Sequence, residues 1–189
     1  MKKAISGFTI VELLIVIVVI AILAAITIVA YNGVQTRAEN NKTITAVGTY
    51  VKAFQLYTID NGQYPSTTVY PCIGDYGSLT GNVCGEVVDG GSTTDCNYSG
   101  ATSVNAAFDT LISTYLGAKP PISVQRMDCN GSVFVGAYVN ANNTNPKDIS
   151  VQFYLKGDVP CPTIIGIVTT QRAQAGSTTK CRLIMPTLP

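Results

Sequence analysis

The chain has 189 residues, 12 Lys and Arg against 11 Asp and Glu, no histidine, and a formal net charge of +1. This near-neutral balance lacks the clustered basic excess of a nucleic-acid binder, and the absence of both histidine and a G-x-S-x-G elbow removes the usual machinery of a hydrolase. Charged side chains make up 12% of the sequence, well below the roughly 25% of a typical soluble domain, which points to a long apolar segment plus a head with a neutral, Ser/Thr/Asn/Gly-rich exterior.

The apolar segment comes first. Lys2 and Lys3 precede Ser6-Gly7, and an apolar run then extends from Phe8 to Ala30, broken by Glu12 and by two threonines. As a helix it would span roughly 34 Å, enough to cross a bilayer. A cleaved secretory signal would have a shorter apolar stretch, about 7–15 residues, followed by a small-residue cleavage site. A plain membrane anchor fits the length and the flanking lysines but leaves Glu12 unexplained. A carboxylate at that depth costs about 2.5–3.5 kcal/mol or more unless it has a partner.

The stretch Gly7-Phe8-Thr9-Ile10-Val11-Glu12-Leu13-Leu14 closely resembles the class III signal of type IV pilins and type II secretion pseudopilins. The resemblance implies that a membrane prepilin peptidase cuts after Gly7, removing residues 1–7, and N-methylates Phe8. The apolar helix stays in the mature chain, with Glu12 at the family's glutamate position. Cleavage would place a positive amine on Phe8 about one helical turn from Glu12. In a helical stack the amine of one copy could meet the carboxylate of another, removing two poorly solvated charges together. The resemblance also implies partners: copies of the same chain in a helical homopolymer, the peptidase, an assembly ATPase and an inner-membrane platform. The precursor would sit in the cytoplasmic membrane with its head outside, and the assembled protein in an extracellular filament. Many relatives carry a glycine and a proline within the apolar helix; this chain has Ala21 and Val29 there, so a more continuous helix is expected.

Beyond residue 30 the pattern becomes amphipathic. Val34, Ala38, Ile44, Val47, Val51, Phe54 and Tyr57 recur every three or four residues, predicting a helix over 31–60 laid on a core. Asn61-Gly62 and Pro65 stop it. Residues 61–131 read as a cysteine-containing connecting loop with one short helix, capped at Ser103, carrying Val104, Phe108, Leu111, Ile112 and Tyr115 on one face and ending at Gly117. From 132 to 189 the period changes to two, predicting strands at Val133–Val139, Ile149–Lys156, Thr163–Arg172 and Lys180–Met185. The expected class is α+β and pilin-like: a long N-terminal helix packed on a C-terminal antiparallel sheet of about four strands, with a disulfide-stabilised head.

Six cysteines, Cys72, Cys84, Cys96, Cys129, Cys161 and Cys181, all follow the apolar segment and form no CxxC pair. That favours disulfides in an oxidising compartment over a metal site. Spacing leaves the connectivity open; Cys161–Cys181 is the pairing expected first, because it would close a loop over a hairpin. No cofactor, metal or catalytic residue is expected. Asp75, Glu86, Asp89 and Asp95 match no EF-hand spacing, and the sequons at Asn97, Asn130 and Asn142 are common by chance. Charge is segregated, with acids between Ala53 and Ala118 and a basic surplus from Lys119 onward. Asp75 and Glu86 are therefore candidates to face Lys180 and Arg182 of an adjacent subunit. The reading is a structural filament subunit serving attachment and twitching motility; the alternatives are a minor pilin acting as an adhesin or in DNA uptake, and a secretion pseudopilin.

Overall fold

The computed structural model describes residues 9–66, 70–75, 83–88, 101–125, 127–129, 132–141 and 148–189. Helix α1 runs without interruption over Ile10–Asn61, through Ala21, Val29, Gly33 and Gly48. It ends where Gly62 N–H bonds back to the Thr58 carbonyl (2.8 Å), with Pro65 just beyond it. By its internal contacts the chain divides into two units, Met1–Ala38 and Glu39–Pro189.

In the first unit, the described apolar side chains of α1 are exposed. The helix is long and apolar enough to cross a membrane. In the second unit, the residues of α1 from Asn40 onward join a core. Val47, Tyr50, Val51 and Phe54 are fully buried with Phe108, Ile112, Phe134, Phe153, Leu155 and Leu183. Of the positions predicted to face the core, Val34 and Ala38 are instead exposed. A 3.6-residue period marks a face but does not say where the packing partner begins.

The head contains more strand than the sequence pattern predicts. Strands β1 (Val83–Val88), β2 (Ala101–Ser103), β3 (Met127–Cys129) and β4 (Ser132–Val135) form one antiparallel sheet, in the order β2-β1-β4-β3. Strands β5 (Ala137–Ala141), β6 (Ile149–Lys156), β7 (Thr169–Ala175) and β8 (Thr178–Ile184) form a second, in the order β5-β6-β8-β7. The region 61–131, expected as loop and helix, thus supplies three strands of the first sheet. The predicted strand Val133–Val139 is in fact two, divided at Gly136 (φ +66°). That left-handed conformation suits glycine and lets the chain leave one sheet and enter the other.

Strand β6 shows the consequence. It is buried along nearly its whole length, as only a strand covered on both faces can be. On one face, Tyr154 meets Phe134 of β4 with ring centroids 4.5 Å apart, and Gln152 Oε1 accepts the Tyr138 hydroxyl (2.9 Å). On the other face, Val151, Phe153 and Leu155 enter the common core. The second helix, α2, covers Ala106–Leu116 and is capped by Asn105, not Ser103; its side-chain oxygen accepts the Phe108 N–H. Phe108 and Ile112 are buried while Leu111 is exposed. Tyr115 at its end donates to Asp60 Oδ2 (3.0 Å) and packs edge-on against Tyr57.

The predicted strand Thr163–Arg172 begins later, at Thr169, because residues 163–168 turn on their way to the sheet edge. Two disulfides lie among the described residues. Cys72–Cys84 ties the segment after α1 to β1, and Cys161–Cys181 ties the β6–β7 loop to β8, with the β7–β8 hairpin between its two cysteines. The pairing that would involve Cys96 lies outside the described residues.

Candidate assembly site

The start of α1 is built by its own residues. Thr9 precedes the helix, and Glu12 stands in its first turn. The Glu12 carboxylate accepts the Thr9 backbone N–H (2.8 Å) and the Thr9 hydroxyl (2.7 Å), both at Oε2. In return the Thr9 hydroxyl oxygen accepts the Glu12 N–H (3.3 Å). This is a capping box, in which two N-terminal donors without intrahelical partners are satisfied reciprocally. The T-x-x-E spacing that encodes it stands in the sequence as Thr9 to Glu12; the resemblance drew attention to the glutamate alone. Gly7 and Phe8, the expected cleavage pair, lie outside the described residues.

Around this capped acid, every described side chain from Ile10 to Gln35 is exposed, the large apolar ones ranging from 46% at Val18 to 83% at Ile10. A continuous apolar surface of this kind is unstable in water and stable only in lipid or against another apolar surface. Chemically, then, the segment offers a ridge of Ile, Leu and Val with one carboxylate at its tip. Its Oε2 accepts two hydrogen bonds, both from Thr9.

The proposed charge contacts are distributed differently. Lys180 and Arg182 share one face of β8, two residues apart. Lys180 is half-buried, opposite Tyr154 and Ala173; burial, then the neighbouring Arg182, pushes its pKa down. Arg182 donates from Nε to Ser150 Oγ (3.1 Å). Asp75 is exposed, on a segment that bridges to Pro121, and Glu86 stands opposite Phe134 in the first sheet. Asp89, Asp95 and the sequons at Asn97, Asn130 and Asn142 lie outside the described residues. Lys119 pairs with Asp109 (2.5 Å), one charge from each region, which narrows the contrast between them, whereas Arg172 pairs with Asp158 inside the basic region and leaves its surplus unchanged.

Comparison with known proteins follows the same lines. Residues 2–28 match the model of the prokaryotic N-terminal methylation motif. The chain is 34% identical over 95 residues to the type IV wide pilus major component PilA4 of Thermus thermophilus, covering 50% of this chain and 72% of that protein. It is 28% identical over 139 residues to a fimbrial protein of Neisseria meningitidis, covering 74% and 77% of the two chains. It is 33% identical over 66 residues to the type II secretion system core protein G of Aeromonas hydrophila, but that match spans 35% of this chain and 46% of the relative. The chain thus spans less than half the length of the secretion relatives it matches. No solved structure matches it. The chain belongs to the type IV pilin and pseudopilin family.

Proposed function

We propose that this protein is the structural subunit of a type IV pilus-like surface filament. A prepilin peptidase cleaves it after Gly7 and methylates the amine of Phe8, and it waits in the cytoplasmic membrane with its head outside. An assembly ATPase and membrane platform then stack it through α1 into a homopolymer that serves attachment and twitching motility. The observation that carries this reading is the exposed apolar length of α1 with a single carboxylate in its first turn. In a stack, the new amine of Phe8 on one copy pairs with Glu12 of another, and losing either partner strands a buried charge at about 3–5 kcal/mol. Glu12 therefore sets the register of an apolar bundle that would otherwise slide.

The test is Glu12→Ala in the full chain. Cleavage and N-methylation, read by mass spectrometry of the N-terminus, should persist while sheared filaments disappear; normal filaments from this variant would refute the reading. Lys180 and Arg182 are proposed to meet Asp75 and Glu86 of the next subunit, in which case filaments loosen as salt rises.

The likeness of the N-terminal third to type II secretion core protein G favours one second reading, a pseudopilin. A shear preparation separates the two: abundant long filaments of this chain belong to a pilin, and their absence from an otherwise secreting cell to a pseudopilin.

A further inference from the structure

The loop between β6 and β7 carries a built turn. Ile167 N–H donates to the Ile164 carbonyl (3.3 Å), with Ile165 and Gly166 at the centre and Gly166 at φ +86°, as a type II turn requires. Ile164 and Ile167 pack against the core, anchoring the turn at both ends. Gln55 of α1 holds it a third time, donating from Nε2 to the Ile165 carbonyl (3.1 Å). Gly166 lies directly on that amide, and a Cβ there would stand 1.7 Å from Gln55 Nε2. The backbone is therefore fixed, yet the Ile165 side chain is 93% exposed. Ile59, one helical turn beyond Gln55 on the same face, is 77% exposed, and Leu56 and Val168 are exposed as well. A tip held this firmly, bearing isoleucine where a polar residue would serve a lone monomer better, is a preorganised apolar contact.

We infer that Ile165, with Leu56, Ile59 and Val168, seats against a second copy of this chain in the assembled filament. The inference rests on the polymer reading above. The area argues for a second copy over an unrelated protein. Four side chains offer a few hundred Å², whereas a free-standing complex needs about 800 Å² from each partner. Inside a filament the α1 helices already hold neighbouring heads together, so a small apolar contact acts at high effective concentration.

The test uses the full chain carrying Ile165→Cys and a water-soluble maleimide. Labelling should be at least about tenfold slower in sheared filaments than in subunits dissociated by detergent. Ile165→Asp filaments should dissolve at roughly half the detergent concentration that wild-type filaments need, with the melting temperature of the dispersed subunit unchanged, and Ile165→Leu should restore resistance. Equal labelling rates in filament and subunit overturn the inference while leaving the polymer reading intact. Failure of the wild-type chain to yield filaments in its own cells overturns that reading and the inference with it.

Discussion

The side-chain amide of Asn40 grips the backbone of Lys156 twice: Nδ2 donates to the Lys156 carbonyl and Oδ1 accepts the Lys156 N–H, each at 2.9 Å. The reason lies in the sheet. β5 pairs with β6 from Ala137 opposite Phe153 to Ala141 opposite Ile149, and at Gly136 the chain departs for the other sheet. Among the described residues no strand continues along the end of β6 on that side, and Asn40 takes the place of a pairing residue. Buried peptide groups require such partners. Asn40→Ala should lower unfolding stability by about 1–3 kcal/mol, the usual cost of a buried polar group left unmatched. The chain has no tryptophan, so near-ultraviolet circular dichroism of its tyrosines during urea unfolding is the appropriate measurement. Asn40→Asp should cost more at neutral pH than at pH 4, because a charged oxygen would then face the Lys156 carbonyl.

Removing the cap at the start of α1 has a local effect. Thr9→Val deletes the hydroxyl that both donates to and accepts from Glu12, at a cost of about 1 kcal/mol. In detergent micelles, the amide of Glu12, which donates to that hydroxyl, should exchange roughly fivefold faster, while those near Tyr50 remain unchanged. Equal protection in the variant would show that the cap contributes nothing.

Tyr50 couples the head's stability to alkaline pH. Its side chain is fully buried, and its hydroxyl oxygen accepts the Gly74 N–H (2.9 Å). Burial pushes its pKa up to about 12, outweighing the lowering effect of that bond. In the unfolded chain the phenol titrates near 10. Above that pH the unfolded state loses a proton that the folded state retains, so stability is fully present below about pH 10 and declines between about 10 and 12. The total loss is on the order of 2–3 kcal/mol. Tyr50→Phe should start lower, lacking the bond to Gly74, and show a shallower decline over that window. An unchanged slope in urea titrations would assign the effect to other groups.

The Cys161–Cys181 bridge has a sequence separation of 20. Closing a loop of that size restricts the unfolded chain, which is worth about 3 kcal/mol. The double variant Cys161→Ser, Cys181→Ser should lose about that much. Its loosest amides should be those of β7, which among the described strands pairs with β8 alone.

Much of this was legible from residue order. The apolar run from Phe8, the lone carboxylate at Glu12, the stop at Asn61-Gly62, the second helix and the strands β6 and β8 all announce themselves through local period, spacing and punctuation. The T-x-x-E cap was equally legible, because its partners are three residues apart. Asn40 was not: its partner lies 116 positions away, and a polar residue on a helix looks the same whether it meets water or a strand end. Nor could strand pattern distinguish one sheet from two, since Gly136 reads as a weak point in a single strand until the neighbours on each side are known.

By itself, then, the sequence determined the parts whose cause is local: a long helix with an apolar half and one acid in its first turn, a head able to form disulfides, and an N-terminal methylation motif over residues 2–28. Only the tertiary structure decided how the head closes, with β6 of the second sheet sandwiched between the core and the first sheet, Asn40 completing a broken edge, and Gln55 holding Ile165 out into solvent. The division follows from physics. Helical period and capping depend on residues a turn apart, whereas a pairing partner is selected from the whole chain by burial and hydrogen bonding at the moment the core forms.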